Sequence, residues 1–158
     1  MNKSKVNNLV LLIQEPYLRK GKPIFGLANY NVHFNGVRNR TLVAVPRHLK
    51  AWSLGSLSDG DVTAVLLEDD KQKRIIVLSI YLDITKDVIS TKMEDVLSFS
   101  NQDKTPILLG MDSNCHSTLW GCDNNNARGD ALEEWIIQNN LCVVNKGSEK
   151  TFLSHLGS

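Results

Sequence analysis

Three apolar segments of the 158-residue chain end in polar side chains that could take part in chemistry. These side chains are Glu15, Tyr81 and the closely spaced pair Asp112 and Asn114. A carboxylate at the end of a buried strand is costly to desolvate without a partner, so a cation or a hydrogen-bond donor is expected beside it. If the strand ends converge, Glu15 and Asp112 supply the hard oxygen ligands that Mg²⁺ prefers, and water and a phosphate complete the coordination.

Each of these residues also has an ordinary structural interpretation. Glu15 precedes Pro16 and fits an exposed turn, and Asp112 fits an Asx-turn or a helix cap. Tyr81 fits a strand aromatic with its hydroxyl at the surface. The chemical interpretation therefore depends on the whole set lying together.

The spacing of apolar residues predicts the elements that must position this set. Two segments, 85–98 and 127–138, have apolar residues at helical intervals. Six short apolar segments bounded by turn residues are typical of buried strands, namely 9–13, 41–45, 62–67, 75–81, 107–109 and 141–144. The sequence therefore predicts one α+β domain over residues 1–158, with more strand than helix.

The composition excludes several classes of protein. With 42% hydrophobic and 22% charged residues, the chain falls outside the disordered class, and its longest apolar runs are too short for a membrane helix. The three cysteines, Cys115, Cys122 and Cys142, are odd in number and irregularly spaced. This pattern implies no disulfide framework and favours a reducing, intracellular compartment. It also lacks the paired spacing of a structural zinc site.

The near-neutral net charge of +1 hides an uneven distribution. Residues 16–58 contain no Asp or Glu and seven of the 18 Lys and Arg residues. Such a cationic segment fits either a solvated face or an electrostatic footprint for a polyanion such as nucleic acid. The charge pattern alone leaves both interpretations open.

The order of the motifs resembles the endonuclease domain of non-LTR retrotransposons. Those domains belong to the endonuclease/exonuclease/phosphatase superfamily, which is related to DNase I and to apurinic/apyrimidinic endonucleases. The resemblance runs from about Leu11 to the C-terminus, and residues 112–129 are its most specific part. The motifs that carry it are Gln14-Glu15-Pro16-Tyr17, Ser79-Ile80-Tyr81, Gly110-Met111-Asp112-Ser113-Asn114-Cys115-His116, Trp120-Gly121, Arg128-Gly129 and Asn145-Lys146-Gly147-Ser148.

The resemblance implies a fold and a set of roles. The expected fold is a four-layer α/β/β/α sandwich of the DNase I-like type. By position, Glu15 matches a divalent-metal ligand, Asp112 the acid that orients and deprotonates the attacking water, and Asn114 the amide that holds phosphate and water. Tyr81 matches a tyrosine whose hydroxyl contacts the phosphate. The implied reaction is Mg²⁺-dependent hydrolysis of a DNA phosphodiester, with Mn²⁺ as an alternative metal.

The resemblance also implies partners and supporting residues. DNA is the expected partner, Arg38 and Arg40 are the expected phosphate contacts, and no membrane is involved. A fused or associated reverse transcriptase would extend the 3′-hydroxyl of the nick, which implies a nuclear location. His116 is expected to order the catalytic loop, and Arg128-Gly129 to position the helix after it.

The family pattern extends beyond this sequence at both ends. Members carry an upstream strand with a site Asn and a downstream catalytic His with an acidic partner, so the fold is expected to be incomplete at both termini. The alternative function is therefore a catalytically inactive, truncated remnant that binds nucleic acid or a protein partner. A small phosphate ester as substrate is disfavoured by the basic segment.

Overall fold

Short runs of β-branched and leucine side chains between turn residues form most of the strands. The computed structural model describes residues 9–19, 22–23, 26–36 and 39–145. In chain order its strands and α-helices are β1 Leu11–Gln14, β2 Leu18–Arg19, β3 Lys22–Pro23, β4 Tyr30–His33, β5 Thr41–Pro46, β6 Lys50–Ser53, β7 Val62–Glu68, β8 Arg74–Tyr81, α1 Thr91–Asp103, β9 Ile107–Asp112 and α2 Ala127–Gln138.

Two sheets carry the architecture. The first has the strand order β1-β5-β4, with antiparallel pairing throughout. The second has the order β6-β7-β8-β9, in which β8 and β9 are parallel and the other neighbours are antiparallel. The parallel pair requires a crossover connection, which α1 supplies. Strands β2 and β3 form a separate two-residue ladder.

The two sheets pack face to face because their strands alternate apolar side chains between faces. Val43 and Val45 of the first sheet form one buried cluster with Val65 and Val77 of the second. The alternate residues of β7 and β8 lie on the other face of the second sheet, beneath both α-helices. That second core includes Val62, Ala64, Ile76, Leu78, Ile80, Met93, Val96, Leu97, Leu132, Trp135 and Ile136.

Side chains cap both helices and join them. The Ser90 hydroxyl accepts a hydrogen bond from the Met93 N–H at the start of α1, which fixes the helix start at the next residue. The Trp135 indole N–H of α2 donates to the Glu94 carboxylate of α1 at 2.6 Å. Within the described ranges, no helix is both long and apolar enough to cross a membrane.

The α+β class predicted from the sequence is confirmed, and most of its core elements are found. Segment 141–144, however, is not a strand, so that prediction was wrong. It carries strand-like residues, and Leu141 and Val143 pack against the helical core. Its backbone pairs with no strand of the described sheets, in which β9 is an edge. Helix α1 also begins six residues later than predicted, because residues 83–90 form turns before the Ser90 cap.

Candidate active site

The carboxyl ends of β1, β8 and β9 meet at one edge of the sandwich. Tyr81 and Asp112 are register partners at the ends of the parallel strands β8 and β9. The Gln14 side-chain amide, at the end of β1, donates a hydrogen bond to the Gly110 carbonyl oxygen at 3.0 Å. Glu15 follows Gln14 directly, so it lies at the same edge as Tyr81 and Asp112. The expected convergence occurs across two facing sheets rather than along one.

A close approach between the sheets makes this convergence possible. A Cβ atom on Gly110 would lie 2.6 Å from Leu12 Cδ1 and 3.2 Å from Leu12 Cβ, so the missing side chain at Gly110 lets β1 pack against β9 without a shift of Leu12. The Ser79 hydroxyl of β8 donates to the Ile13 carbonyl oxygen at 2.9 Å. Strand β1 is therefore tied to both parallel strands at the end where Glu15 emerges.

Two of the predicted site residues have left-handed backbone conformations. Glu15 has φ of 48° and Asn114 has φ of 47°, a region that non-glycine residues rarely occupy and that costs about 1 kcal/mol or more for Glu. The Glu15 backbone N–H donates to the Arg40 carbonyl oxygen at 2.7 Å. The Asn114 side-chain amide donates to the Leu82 carbonyl oxygen at 3.1 Å. These bonds hold both residues in the unfavourable conformation, with their side chains exposed at the site.

The loop after β9 is fixed by the start of α2. The Asn126 side-chain oxygen accepts hydrogen bonds from the Gly129 N–H at 2.8 Å and the His116 N–H at 3.2 Å. The Asn126 N–H donates to the His116 carbonyl oxygen at 3.0 Å. A Cβ atom on Gly129 would overlap that carbonyl oxygen, so only glycine allows this contact. His116 thus orders the loop through its backbone, and the expectation that Gly129 positions the helix is confirmed.

Arg40 lies at the centre of a charged network beside these strand ends. Its Nε and Nη2 atoms donate to the two Asp61 carboxylate oxygens at 2.6 and 2.7 Å, and Nη1 donates to Asp83 at 2.7 Å. The Lys86 ammonium also pairs with Asp61, at 2.7 Å. The Arg40 guanidinium carbon lies 4.6 Å from the centre of the Tyr81 ring, within the range of a cation–π contact.

This network bears on the two arginines that were predicted to contact DNA. Arg38 lies outside the described residues. Arg40 is about one-third exposed, and each of its guanidinium nitrogens already donates to a carboxylate. Phosphate contact by either arginine stays a prediction.

Arg128 positions the start of α2 against the loop after β8. Its Nη1 donates to the Lys86 carbonyl oxygen at 2.8 Å and its Nη2 to the Asp83 carbonyl oxygen at 3.1 Å. The loop that supplies Asp83 and Lys86 to the network is therefore held by α2. This contact confirms the positioning role expected for Arg128.

The charged network lowers the pKa values of its two carboxyl groups. Burial alone would raise the pKa of Asp61, but hydrogen bonds from Arg40 and Lys86 outweigh it, so the pKa lies below its ordinary value. The Thr85 N–H, followed by the Arg40 guanidinium, holds the pKa of Asp83 well below its usual range. Both groups are therefore charged at neutral pH and keep their partners in place.

These shifts predict a stability loss in acid that depends on Arg40. Stability from a depressed carboxyl pKa is complete above the unfolded value of about 3.9 and is lost as pH falls through the folded value. We expect the free energy of unfolding, measured by urea denaturation from pH 6 to pH 2, to decline below about pH 4. The Arg40→Ala protein should decline less steeply, because its carboxyl pKa values lie nearer those of the unfolded chain. Equal declines in the two proteins would contradict the role assigned to the network.

Asp61 and Asp83 were missed among the predicted site residues, although their positions beside core strands are a signal for this edge of the sheet. Asp83 follows Tyr81 by two residues, at the end of a core strand, and Asp61 precedes the antiparallel neighbour β7. The beginning of β7 and the end of β8 share one edge of the sheet. Polar residues at the starts of antiparallel strands lie at the same edge as those at the ends of their neighbours, and this pattern predicts both acids at the site.

The donors at this edge fit a hard divalent metal. An open groove of about 840 Å³ is lined by Pro16, the residue after Glu15, and by Arg40 and Lys86, whereas none of the four predicted site residues is part of its lining. The described residues contain no group of three or more His, Cys, Asp or Glu side chains placed to hold a metal ion. A metal held by Glu15, with Asp112 at the same edge, would take its remaining ligands from water and substrate, which is how Mg²⁺ is commonly bound.

Comparison with known proteins identifies the family. A family model described as "Endonuclease-reverse transcriptase" matches residues 75–158, just over half of the chain, and includes Tyr81, Asp112 and Asn114. The fold matches the solved structure of the endonuclease domain of TRAS1, a telomere-specific non-LTR retrotransposon. The TM-score is 0.71 at 24% sequence identity, over 90% of this chain and 64% of that one, which confirms the predicted DNase I-like fold class.

The match to the solved structure covers only part of that structure, which limits the conclusions about activity. The chain spans about two-thirds of the length of the matched structure, so the activity of a whole relative does not transfer to it directly. No curated protein matches the chain. The family match nevertheless covers the segment in which three of the four predicted site residues lie, and it supports a nuclease role. The chain belongs to the endonuclease–reverse transcriptase family.

Proposed function

We propose that the chain is a divalent-metal-dependent endonuclease that nicks DNA by phosphodiester hydrolysis and leaves a 3′-hydroxyl for reverse transcription. The observation that carries the proposal is the convergence of Glu15, Tyr81 and Asp112 at one edge of two facing sheets. Strained backbone at Glu15 and Asn114 adds support, because such strain persists where the surrounding structure enforces it and is concentrated at active sites.

Each residue has a role that its chemistry and placement allow. Glu15 presents an exposed carboxylate as the metal ligand, and Mg²⁺ or Mn²⁺ bound there supplies charge neutralisation to the reacting phosphate. Asp112 orients and deprotonates the attacking water. The Asn114 amide holds the phosphate and the water, and the Tyr81 hydroxyl donates a hydrogen bond to a phosphate oxygen.

The proposal extends to partners and location. A nick with a 3′-hydroxyl is a primer for a reverse transcriptase, and the matching family is described by that pairing of activities. The proposed substrate is chromosomal DNA, so the proposed site of action is the nucleus. Ligation of the nicked product without prior phosphatase treatment would establish the 3′-hydroxyl and 5′-phosphate ends.

A plasmid-nicking assay tests the proposed reaction. Supercoiled DNA should be converted to the open circle with Mg²⁺ and remain supercoiled with EDTA. We expect Asp112→Asn to lower the nicking rate by about 10³-fold or more, because the water then lacks its base. Asp70→Asn makes the same change in a fully exposed turn and should nick at the wild-type rate.

One outcome would count against the proposed site and another against the proposed activity. Nicking that survives Asp112→Asn would remove the site assignment. Salt-sensitive DNA binding without Mg²⁺-dependent nicking would instead support the alternative, a non-catalytic nucleic-acid-binding protein.

A further inference from the structure

Arg40 contacts both Glu15 and Tyr81. Among the described residues, no other forms a hydrogen bond or ring contact with both. The Arg40 carbonyl oxygen accepts from the Glu15 N–H at 2.7 Å, and its guanidinium lies over the Tyr81 ring at 4.6 Å. We propose that Arg40 is a positioning residue that fixes Glu15 and Tyr81 relative to each other, rather than a DNA phosphate contact. This inference rests on the proposed endonuclease function, which gives those two residues their roles.

The guanidinium of Arg40 is itself rigidly held. Asp61 binds it in a bidentate arrangement, and Asp83 binds the remaining nitrogen. A bidentate arginine–carboxylate pair fixes the plane of the guanidinium as well as its position. The plane that faces the Tyr81 ring is therefore fixed by two carboxylates rather than by the ring alone.

The charges around Arg40 argue against a phosphate-binding role. Arg40 and Lys86 carry two positive charges, and Asp61 and Asp83, both within hydrogen-bond distance, carry two negative charges. The cluster has no net positive charge to attract a phosphate. A phosphate that displaced either carboxylate would also leave that carboxylate without its partner, at a cost in free energy.

The backbone of Arg40 connects the same network to Glu15. The Arg40 N–H donates to the Gly60 carbonyl oxygen at 2.7 Å, and the Tyr81 N–H donates to the Asp61 carbonyl oxygen at 2.9 Å. Residues 60 and 61 thus bind both Arg40 and Tyr81 through their backbones. Glu15, Arg40 and Tyr81 come from three different strands or strand ends, and this turn holds them in one arrangement.

Arg40→Ala tests the inference, with Arg47→Ala as the matched control. Arg47 is an exposed arginine at the opposite end of β5. Arg47→Ala therefore removes the same charge from the same cationic segment. In single-turnover nicking at saturating DNA, we expect Arg40→Ala to slow the reaction by about 10- to 100-fold, because a misplaced group loses that much rate. Arg47→Ala should nick at the wild-type rate.

The salt dependence of DNA binding separates positioning from phosphate contact. Loss of one phosphate contact lowers the slope of log K against log salt by about one. We expect Arg40→Ala to leave the slope unchanged, and Arg40→Lys to keep the charge but fail to restore the rate, since lysine lacks the planar fork. A slope reduced by about one, with a normal saturating rate, would overturn the proposal and make Arg40 a phosphate contact.

One further measurement and one further variant keep the inference testable if the wild type does not nick DNA or if Arg40→Ala does not fold. If the wild type does not nick DNA, the proposed function fails, but the NMR resonances of the Tyr81 ring still report positioning. They should shift and broaden in Arg40→Ala and not in Arg47→Ala; unchanged resonances would overturn the inference. If Arg40→Ala does not fold, Arg40→Met combined with Asp61→Asn and Asp83→Asn removes the unpaired carboxylates and takes its place in every assay.

Discussion

Glu15→Gly and Glu15→Ala are expected to lose the same DNA-nicking activity while differing in stability by about 1 kcal/mol. Both remove the carboxylate that is proposed to hold the metal, so both should lower the nicking rate by about 10³-fold or more. Glu15 has φ of 48°, a conformation that glycine adopts freely and alanine does not. The glycine protein should therefore be the more stable of the two.

The comparison needs only plasmid nicking and urea denaturation. Relative to the wild type, we expect Glu15→Gly to raise the unfolding free energy by up to about 1 kcal/mol, because relief of backbone strain exceeds the cost of the greater freedom of glycine in the unfolded chain. A control pair at Gln72, which has φ of 62° in an exposed turn, should show the same stability difference with no loss of nicking. Full activity in either Glu15 variant would rule out its role as metal ligand.

Such an outcome would explain why a strained glutamate occurs at the end of β1. A residue that costs stability where glycine or asparagine would not is expected when its side chain is needed for function. Asn114 has nearly the same φ, but asparagine tolerates the left-handed region better. Backbone strain therefore supports a functional role for Glu15 more strongly than for Asn114.

The sequence predicted the core elements because their residues follow simple periods. Strands β5, β7 and β8 are continuous apolar segments, and α2 was predicted with its observed bounds, since its apolar spacing lies between Asn126 and Asn139. Strands β4 and β6 were missed. Tyr-Asn-Val-His and Lys-Ala-Trp-Ser are short, mixed segments, and they form strands only because a neighbouring strand pairs with them.

Part of the site was also predictable, because its residues follow the apolar segments that form the core strands. Polar residues at the ends of apolar strands identified Glu15, Tyr81 and Asp112, and the structure brings those strand ends together. The environment of Arg40 was not predictable from its position in a cationic segment. Its carboxylate partners lie 21 and 43 residues away in sequence, and they reach it only through the strand register of the second sheet. The charge composition left a nucleic-acid contact open for this segment, and tertiary structure places Arg40 in an ion-pair network.

Gly129→Ala is expected to destabilise the fold and to impair nicking, although alanine is normally the better helix former. In an exposed helix the change would gain about 1 kcal/mol. Here the added Cβ atom would overlap the His116 carbonyl oxygen, which is backbone and cannot rotate away as a side chain would. The loop must move, at a cost of about 1 to 3 kcal/mol for overpacking and about 1 kcal/mol for the weakened Asn126 cap.

We therefore expect a net loss of about 2 kcal/mol, seen as a fall of roughly 4 to 8 °C in Tm by calorimetry. Gly55→Ala is the matched control, since a Cβ atom there meets nothing within 4 Å, and its Tm should stay close to that of the wild type. Nicking should fall in Gly129→Ala at temperatures where the protein is fully folded, because the displaced loop also carries Asn114. A Tm equal to that of the wild type would show that the loop adapts without cost and that α2 does not fix the Asn114 loop.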